Sequence, residues 1–227
     1  MIKATIKTLS IAPIFLAVMS FSQTAVATPL LTPINAGNEV SLATILNTIS
    51  TADGITLARV DDANDAFWTL AGNSTVLARA RFAGYDNLFG VIPGTTGGVT
   101  GFQPLISSLS GDGIVGNNGP EISFPLLAGD FRLAIRTPTG QIWSSLALDN
   151  SDLMDHMVTW VDVHDPLHYF VAFEDLSFTG GSDGDYNDVV LELRHIKDGP
   201  LSVPEPGSLV LTALGLVALA HTRRVKA

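Results

Sequence analysis

The sequence predicts an all-β fold, a β-sandwich or jelly roll with one short N-terminal helix. Three observations predict it. Short runs of alternating apolar and polar residues, bounded by Gly, Pro, Asn and Asp, recur from about residue 55 to residue 194. A single early segment carries helical spacing. No helical pattern separates the later runs, which argues against an alternating α/β architecture. The domain spans residues 28–200 and is flanked by segments of different character at 1–27 and 201–227. Its length is enough for one core without covalent staples.

The elements follow in order. Met1 to Ala27 has the layout of a cleavable signal peptide: Lys3 and Lys7, an apolar run from Leu9 to Phe21, then Ala25-Val26-Ala27 as a small-residue cleavage site. The apolar run is shorter than the roughly 20 residues of a membrane span, so cleavage before Thr28 is preferred to an uncleaved anchor. Leu42, Ile45, Leu46 and Ile49 follow the i, i+3, i+4, i+7 pattern, with Asn38 or Ser41 as cap. In Thr75 to Ala83, Val76, Ala78, Ala80 and Phe82 share one face, with Arg79 and Arg81 on the other. Asp130 to Arg136 alternates in the same way, and Met157–Val163, His168–Glu174 and Asp188–Arg194 are further strands. Shorter candidates are Ile55–Val60, Ala66–Leu70, Leu88–Ile92, Glu121–Pro125 and Gln141–Leu146. The nine glycines of Gly90 to Gly119 predict a long surface loop or loose hairpins.

Composition removes several classes of function. The 227 residues include 22 acidic and 12 basic ones, a formal charge of −10, with a pI near 4.7 and a mean hydropathy of +0.34. Between Thr28 and Val203 there are 21 acids and 7 bases. Such a balance argues against a nucleic-acid partner, which needs a basic face. The chain has no cysteine, which excludes a disulfide scaffold, a thiolate metal site and a cysteine nucleophile.

Two catalytic-looking motifs fail their context. Gly111-Asp112-Gly113-Ile114-Val115-Gly116 matches G-x-G-x-x-G, but Asn117-Asn118-Gly119-Pro120 cannot open the helix a dinucleotide site needs, so turn glycines are expected. Gly180-Gly181-Ser182-Asp183-Gly184 matches G-x-S-x-G, but Val189 to Leu193 reads as a strand rather than the helix of a nucleophile elbow. His156, His164 and His168 lie around the Asp165-Pro166 turn and are expected as surface or hydrogen-bonded histidines. No catalytic constellation survives, so a non-enzymatic role is expected.

The informative region is acidic. From Thr137 to Leu193 there are eleven Asp and Glu and no Lys or Arg. A solvated, self-repelling face is the ordinary meaning of such a run, but this one lies among aromatic and β-branched residues. Asp183, Asp185 and Asn187 alternate like the first ligands of a calcium loop. Asp188 stands where an EF-hand needs glycine and Arg194 where it needs glutamate, so an EF-hand is excluded. Two readings remain open. One is a Ca²⁺ site of Asp183, Asp185, Asn187 and Asp188, joined by Glu174 or Asp175 from the preceding strand end. The other is an Asx-rich turn whose side chains bond backbone amides.

The C-terminal segment runs Val203-Pro204-Glu205-Pro206-Gly207-Ser208, then almost wholly apolar from Leu209 to Ala220, then Arg223, Arg224 and Lys226. As a helix, Gly207 to Thr222 spans only about 24 Å, with the basic cluster favouring the cytoplasmic side. The tail resembles the PEP-CTERM sorting signal. The resemblance implies export by a Gram-negative bacterium, transient anchoring in the inner membrane, and processing by an exosortase near Pro204-Glu205-Pro206, after signal peptidase has cut at Ala25–Ala27. It also implies association with bacteria that make exopolysaccharide and biofilm. A second resemblance rests on Asp155-His156, Phe173-Glu174-Asp175-Leu176 and Gly180-Gly181 through Asp188. These are similar to a bacterial domain of unknown function marked by D-H, F-E-D-L and G-G-x-D-x-D-[FY]-N-D, frequent in PEP-CTERM proteins, with weaker likeness at Asp61, Asp65, Trp68 and Phe89-Gly90.

The leading expectation is a non-enzymatic, exported cell-surface or extracellular-matrix protein whose β domain is stabilised by calcium. A calcium-dependent carbohydrate-binding module, with Trp68, Trp143, Trp160 or Tyr85 stacking on sugar, is the alternative. A hydrolase pairing Asp155 with Glu174 ranks below both.

Overall fold

The computed structural model describes residues 40–96, 98–114 and 121–198. The signal-peptide residues Ala25 and Ala27 and the tail residues Pro204, Glu205, Pro206, Arg223 and Arg224 lie outside them. Among the described residues no helix is long and apolar enough to cross a membrane.

The expected amphipathic helix forms as α1 (Leu42–Asp53), with Leu42, Ile45, Leu46 and Ile49 as its buried stripe. Ser41 caps it, its Oγ accepting the Thr44 amide at 3.4 Å, and Gly54 ends it in the left-handed conformation at φ 69°. Among the described residues nine strands follow: β1 (Leu57–Arg59), β2 (Trp68–Pro93), β3 (Gln103–Ile114), β4 (Ile122–Ser123), β5 (Phe131–Arg136), β6 (Ile142–Ser144), β7 (Met157–Asp162), β8 (Asp165–Phe173) and β9 (Val189–Asp198). A 3-10 turn at Ala147–Asp149 lies between β6 and β7. The fold is thus mostly β, with one short helix before the sheet. Hydrogen bonding runs β1-β7-β8-β9-β2-β5-β6, and β3 and β4 also pair with β2. Every pairing is antiparallel except β2 with β5.

The sequence pattern divides β2 into three strands; the structure makes it one strand of 26 residues. Straight, it would run about 85 Å, far beyond a domain of this size. It bends instead at register irregularities between Leu70 and Thr75, between Ala78 and Ala80, and between Ala83 and Asn87. Its two ends, Trp68 and Pro93, both pair with Phe131, so the strand curls almost back onto itself.

The irregularity at Ala78/Ala80 corrects the expected single face. Val76 and Ala78 join the larger core, whereas Ala80 and Phe82 join a second core under α1. Arg79 is the extra residue of the bulge. It is buried at 2% exposure and pairs with Asp53 of α1 at 2.8 Å and with Glu192 of β9. The larger core lies inside the curl, with Trp68, Phe89, Phe131, Phe173 and Leu191 among its residues. The smaller core sandwiches α1 against the outer face of β7, β8 and β9 through Val158, Phe170, Ala172 and Val190.

From Gly90 to Gly119 the hairpin alternative is realised, and the correction is to the turn expected at Gly111 and Gly113. Much of this stretch is strand: β3 pairs with β2 from Ala80 to Val91. Gly111 and Gly113 belong to that strand rather than to a turn, while Gly116 lies outside the described residues. Glycine is required at Gly90, where a Cβ would overlap the Gln103 carbonyl of β3.

Candidate metal centre

Strand β8 ends at the core residue Phe173, and the next two residues turn their carboxylates into the interior. Glu174 and Asp175 are 1% and 4% exposed. Their backbone is fastened from two sides. The Glu174 amide donates to the His156 carbonyl at 3.0 Å, and the Asp175 amide donates to Asp188 Oδ2 at 2.7 Å. His156 Nδ1 lies 3.1 Å from the Glu174 carbonyl, and its Nε2 faces Asp152. The imidazole stacks on Trp143 at 3.8 Å between centroids, and Trp143 Nε1 donates to the Asp175 carbonyl at 2.7 Å. The Asp-His motif thus acts as a brace for the Phe-Glu-Asp-Leu motif.

The segment from Ser177 to Asp188 folds over the same place. Gly184 takes φ 70° with Phe178 against it, a conformation that suits glycine. Tyr186 also has positive φ, at 56°, and its hydroxyl donates to the Asp155 carbonyl at 2.8 Å. The Asn187 amide donates to Asp185 Oδ1 at 3.1 Å, and Asn187 Nδ2 donates to Asp185 Oδ2 and to the Val40 carbonyl. The Asp188 carbonyl accepts the Phe82 amide from β2 at 3.1 Å.

The five acids among the six expected ligands converge. Glu174, Asp175 and Asp188 form one group, and Glu174, Asp183 and Asp185 a second; within each, one oxygen from each residue lies within 4.8 Å of the others. Glu174 belongs to both. A cavity of about 280 Å³ opens here, lined by Glu174, Asp175, Asp183 and Asp188 together with Phe82 and Tyr85. Asn187 donates from Nδ2 to Asp185 and so positions a carboxylate. The Asx-turn reading is therefore realised at Asp185, but it leaves the convergence of Glu174, Asp175, Asp183 and Asp188 unaccounted for.

Electrostatics set the character of the site. Burial, then the Asp183 charge, pushes the Glu174 carboxyl above its ordinary range. Burial again, then Glu174 and Asp175, does the same to Asp188, and Asp175 is raised by burial first. Glu174 Oε1 accepts the Leu176 amide at 3.3 Å, but its Oε2 is buried with no hydrogen-bond partner. A buried acceptor left unmatched is costly, and oxygen-only donors of this kind suit a hard cation such as calcium.

Asn87 of β2 was invisible in the sequence pattern. It is fully buried, donates from Nδ2 to Asp175 Oδ2 at 2.6 Å, and leaves its own Oδ1 without a partner. Only the tertiary pairing of β2 brings it here; its spacing carried no signal. Asp155 and Glu174, the pair weighed as hydrolase carboxylates, fall in different groups. Among the described residues no histidine joins an acidic group: His156 is a buried brace, His168 pairs with Glu192, and His164 is exposed. Of the four candidate stacking aromatics, Trp68 and Trp143 are core residues. Trp160 is half-buried with the Arg59 guanidinium over its ring, and Tyr85 lines the acidic cavity.

No family model matches this chain, and no curated protein does. Among solved structures, the C-terminal domain of the BC2L-C lectin from Burkholderia cenocepacia is similar at 16% identity and a TM-score of 0.34, over 60% of this chain and 96% of that one.

Proposed function

We propose that the chain is a non-enzymatic, exported surface or matrix protein whose β domain is clamped by Ca²⁺. The observation that carries the clamp is the buried, unpartnered Glu174 Oε2 at the meeting point of two carboxylate groups. Glu174, Asp175, Asp183, Asp185 and Asp188 would hold the ion, which supplies the positive charge their burial calls for. The protein's part is to aim these oxygens: β8 presents two, the 183–188 loop three, and Asn187, Asn87 and His156 hold them in place. Such a clamp ties the end of β8 to the start of β9. The same reading takes the curled sheet as a jelly-roll type of sandwich. Export and exosortase sorting rest on the terminal sequence motifs.

Calorimetry of the full chain with calcium and with EGTA tests the clamp. Calcium at a hundredfold its Kd adds about 2.7 kcal/mol, or roughly 5–10 °C for a domain of this size. Glu174→Gln should abolish that shift. An unchanged melting temperature, with no calcium in the purified protein, would remove the proposal.

A second reading is favoured by Tyr85, which lines the cavity beside the acidic groups. A sugar hydroxyl pair on the ion with the ring face on Tyr85 would make a calcium-dependent carbohydrate site. A glycan array run with calcium, with EGTA and with Tyr85→Ala separates it from the clamp alone: sugar binding lost in both arms supports it, and no binding in any arm dismisses it.

A further inference from the structure

A second group of carboxylates stands apart from that loop. Asp62 and Asp65 lie in the turn between β1 and β2, and Asp155 precedes β7; one oxygen from each lies within 4.8 Å of the others. Asp65 is fully buried, and neither of its carboxylate oxygens has a hydrogen-bond partner. The Thr159 hydroxyl sits beside it, close enough to be felt but outside hydrogen-bonding geometry. A buried carboxylate with both oxygens unmatched is among the costliest arrangements in a folded chain.

Among the described residues one basic residue, Arg59, is near. Arg59 pairs with Asp62, donates to the Val60 and Thr159 carbonyls at 2.8 Å each, and lies over Trp160. One guanidinium against three carboxylates leaves two negative charges, the complement of a divalent ion. The frame is held independently of such an ion. Asp155 Oδ1 accepts the Met157 amide at 3.0 Å, and the Asp155 carbonyl accepts Tyr186. A depression of about 310 Å³, lined by Arg59, Val60, Asp61 and Asp62, reaches the group at Asp62.

We propose that Asp62, Asp65 and Asp155 form a second site for a hard divalent cation of the calcium class. The donors are oxygen only, and three carboxylates with carbonyls and water reach the coordination calcium takes. Asp65 is its centre and the turn between β1 and β2 its lid. Through Tyr186, whose hydroxyl meets the Asp155 backbone, this site is joined to the loop that carries the first.

Calcium stoichiometry of the full chain, by titration calorimetry after EGTA stripping, tests it. Two ions are expected in the parent, one in Asp65→Asn and one in Glu174→Gln. Asp155→Asn serves as the alternative variant if Asp65→Asn does not fold, as judged by circular dichroism. One ion in the parent that Glu174→Gln removes would overturn the second site and leave the first standing. A single ion in the parent that persists in Glu174→Gln and is lost in Asp65→Asn keeps the second site and overturns the first. Two ions retained in a folded Asp65→Asn, or no ion in the parent, also overturn it.

Discussion

Glu192 is 1% exposed beneath α1, where a lone carboxylate would be costly. His168 Nε2 lies 2.8 Å away, Arg194 Nε 2.5 Å away, and Arg79 pairs with its other oxygen. Burial pushes this carboxyl up, but the hydrogen bonds from His168, Arg194 and Arg79 outweigh it and hold it at about 2. Because its folded pKa is depressed, Glu192 stabilises the protein above its ordinary value near 4.5. That contribution fades as pH falls from about 4.5 towards 2. Urea midpoints of the parent and Glu192→Gln should therefore converge across that window; a constant gap would contradict the pairing. Asp53 also reaches Arg79, so the guanidinium serves two acids. Arg79→Ala removes the buried cation that both acids share and leaves Glu192 Oε2 unmatched, which should cost about 3 kcal/mol, read as a lowered urea midpoint with an unchanged slope.

At the scale of elements, α1 was legible to the residue in its buried stripe, because a helix announces itself by period and cap. The edges of β5 and β7 were legible for a similar reason. β8 instead begins at Asp165, three residues before the expected His168. The Asp165-Pro166 pair expected as a turn thus opens a strand, and the turn falls on Val163-His164. β2 was not legible, and the cause is physical. A bulge inserts one residue and exchanges the two faces of everything after it, so an unbroken alternation from Val76 to Phe82 hides the change of side. The glycine-rich stretch misled in the other direction. Glycine reads as a turn signal, yet at Gly90 it permits the close approach of β3. Gly90→Ala should accordingly destabilise by about 2 kcal/mol or more, as overpacking against backbone does. The check is a thermal melt, and a neutral result would mean that β3 can retreat.

For the whole molecule, the acidic excess sorts into two kinds. The arginine pairs described go to Asp53, Asp62, Asp149 and Glu192; of these, Asp62 is also gathered with Asp65 and Asp155. Glu174, Asp175, Asp183 and Asp188 are gathered with one another instead. Spacing made the 183–188 loop legible, and the strand end at Glu174-Asp175 followed from its neighbourhood in the chain. Asp62 and Asp65 stayed hidden because their partner Asp155 is about ninety residues away and is delivered by the pairing of β1 with β7.

The placement of β9 has a bearing on the order in which the molecule assembles. This strand is the last in the described chain, yet it lies between β8 and β2 in the middle of the sheet. It brings Val189, Leu191, Leu193 and Ile196 to the larger core and Val190 to the smaller. Synthesis runs from the N-terminus, so neither core can close until residue 198 has emerged, and β2 must wait more than a hundred residues for its central neighbour. Long-range pairing of this kind is slow and leaves strand edges open meanwhile. A chain stopped at Asp188 should lack protection in limited proteolysis and bind a dye specific for exposed apolar surface, whereas one stopped at Asp198 should resist both. Completion of the final strand, rather than any earlier segment, is thus the moment at which this protein commits to its native state.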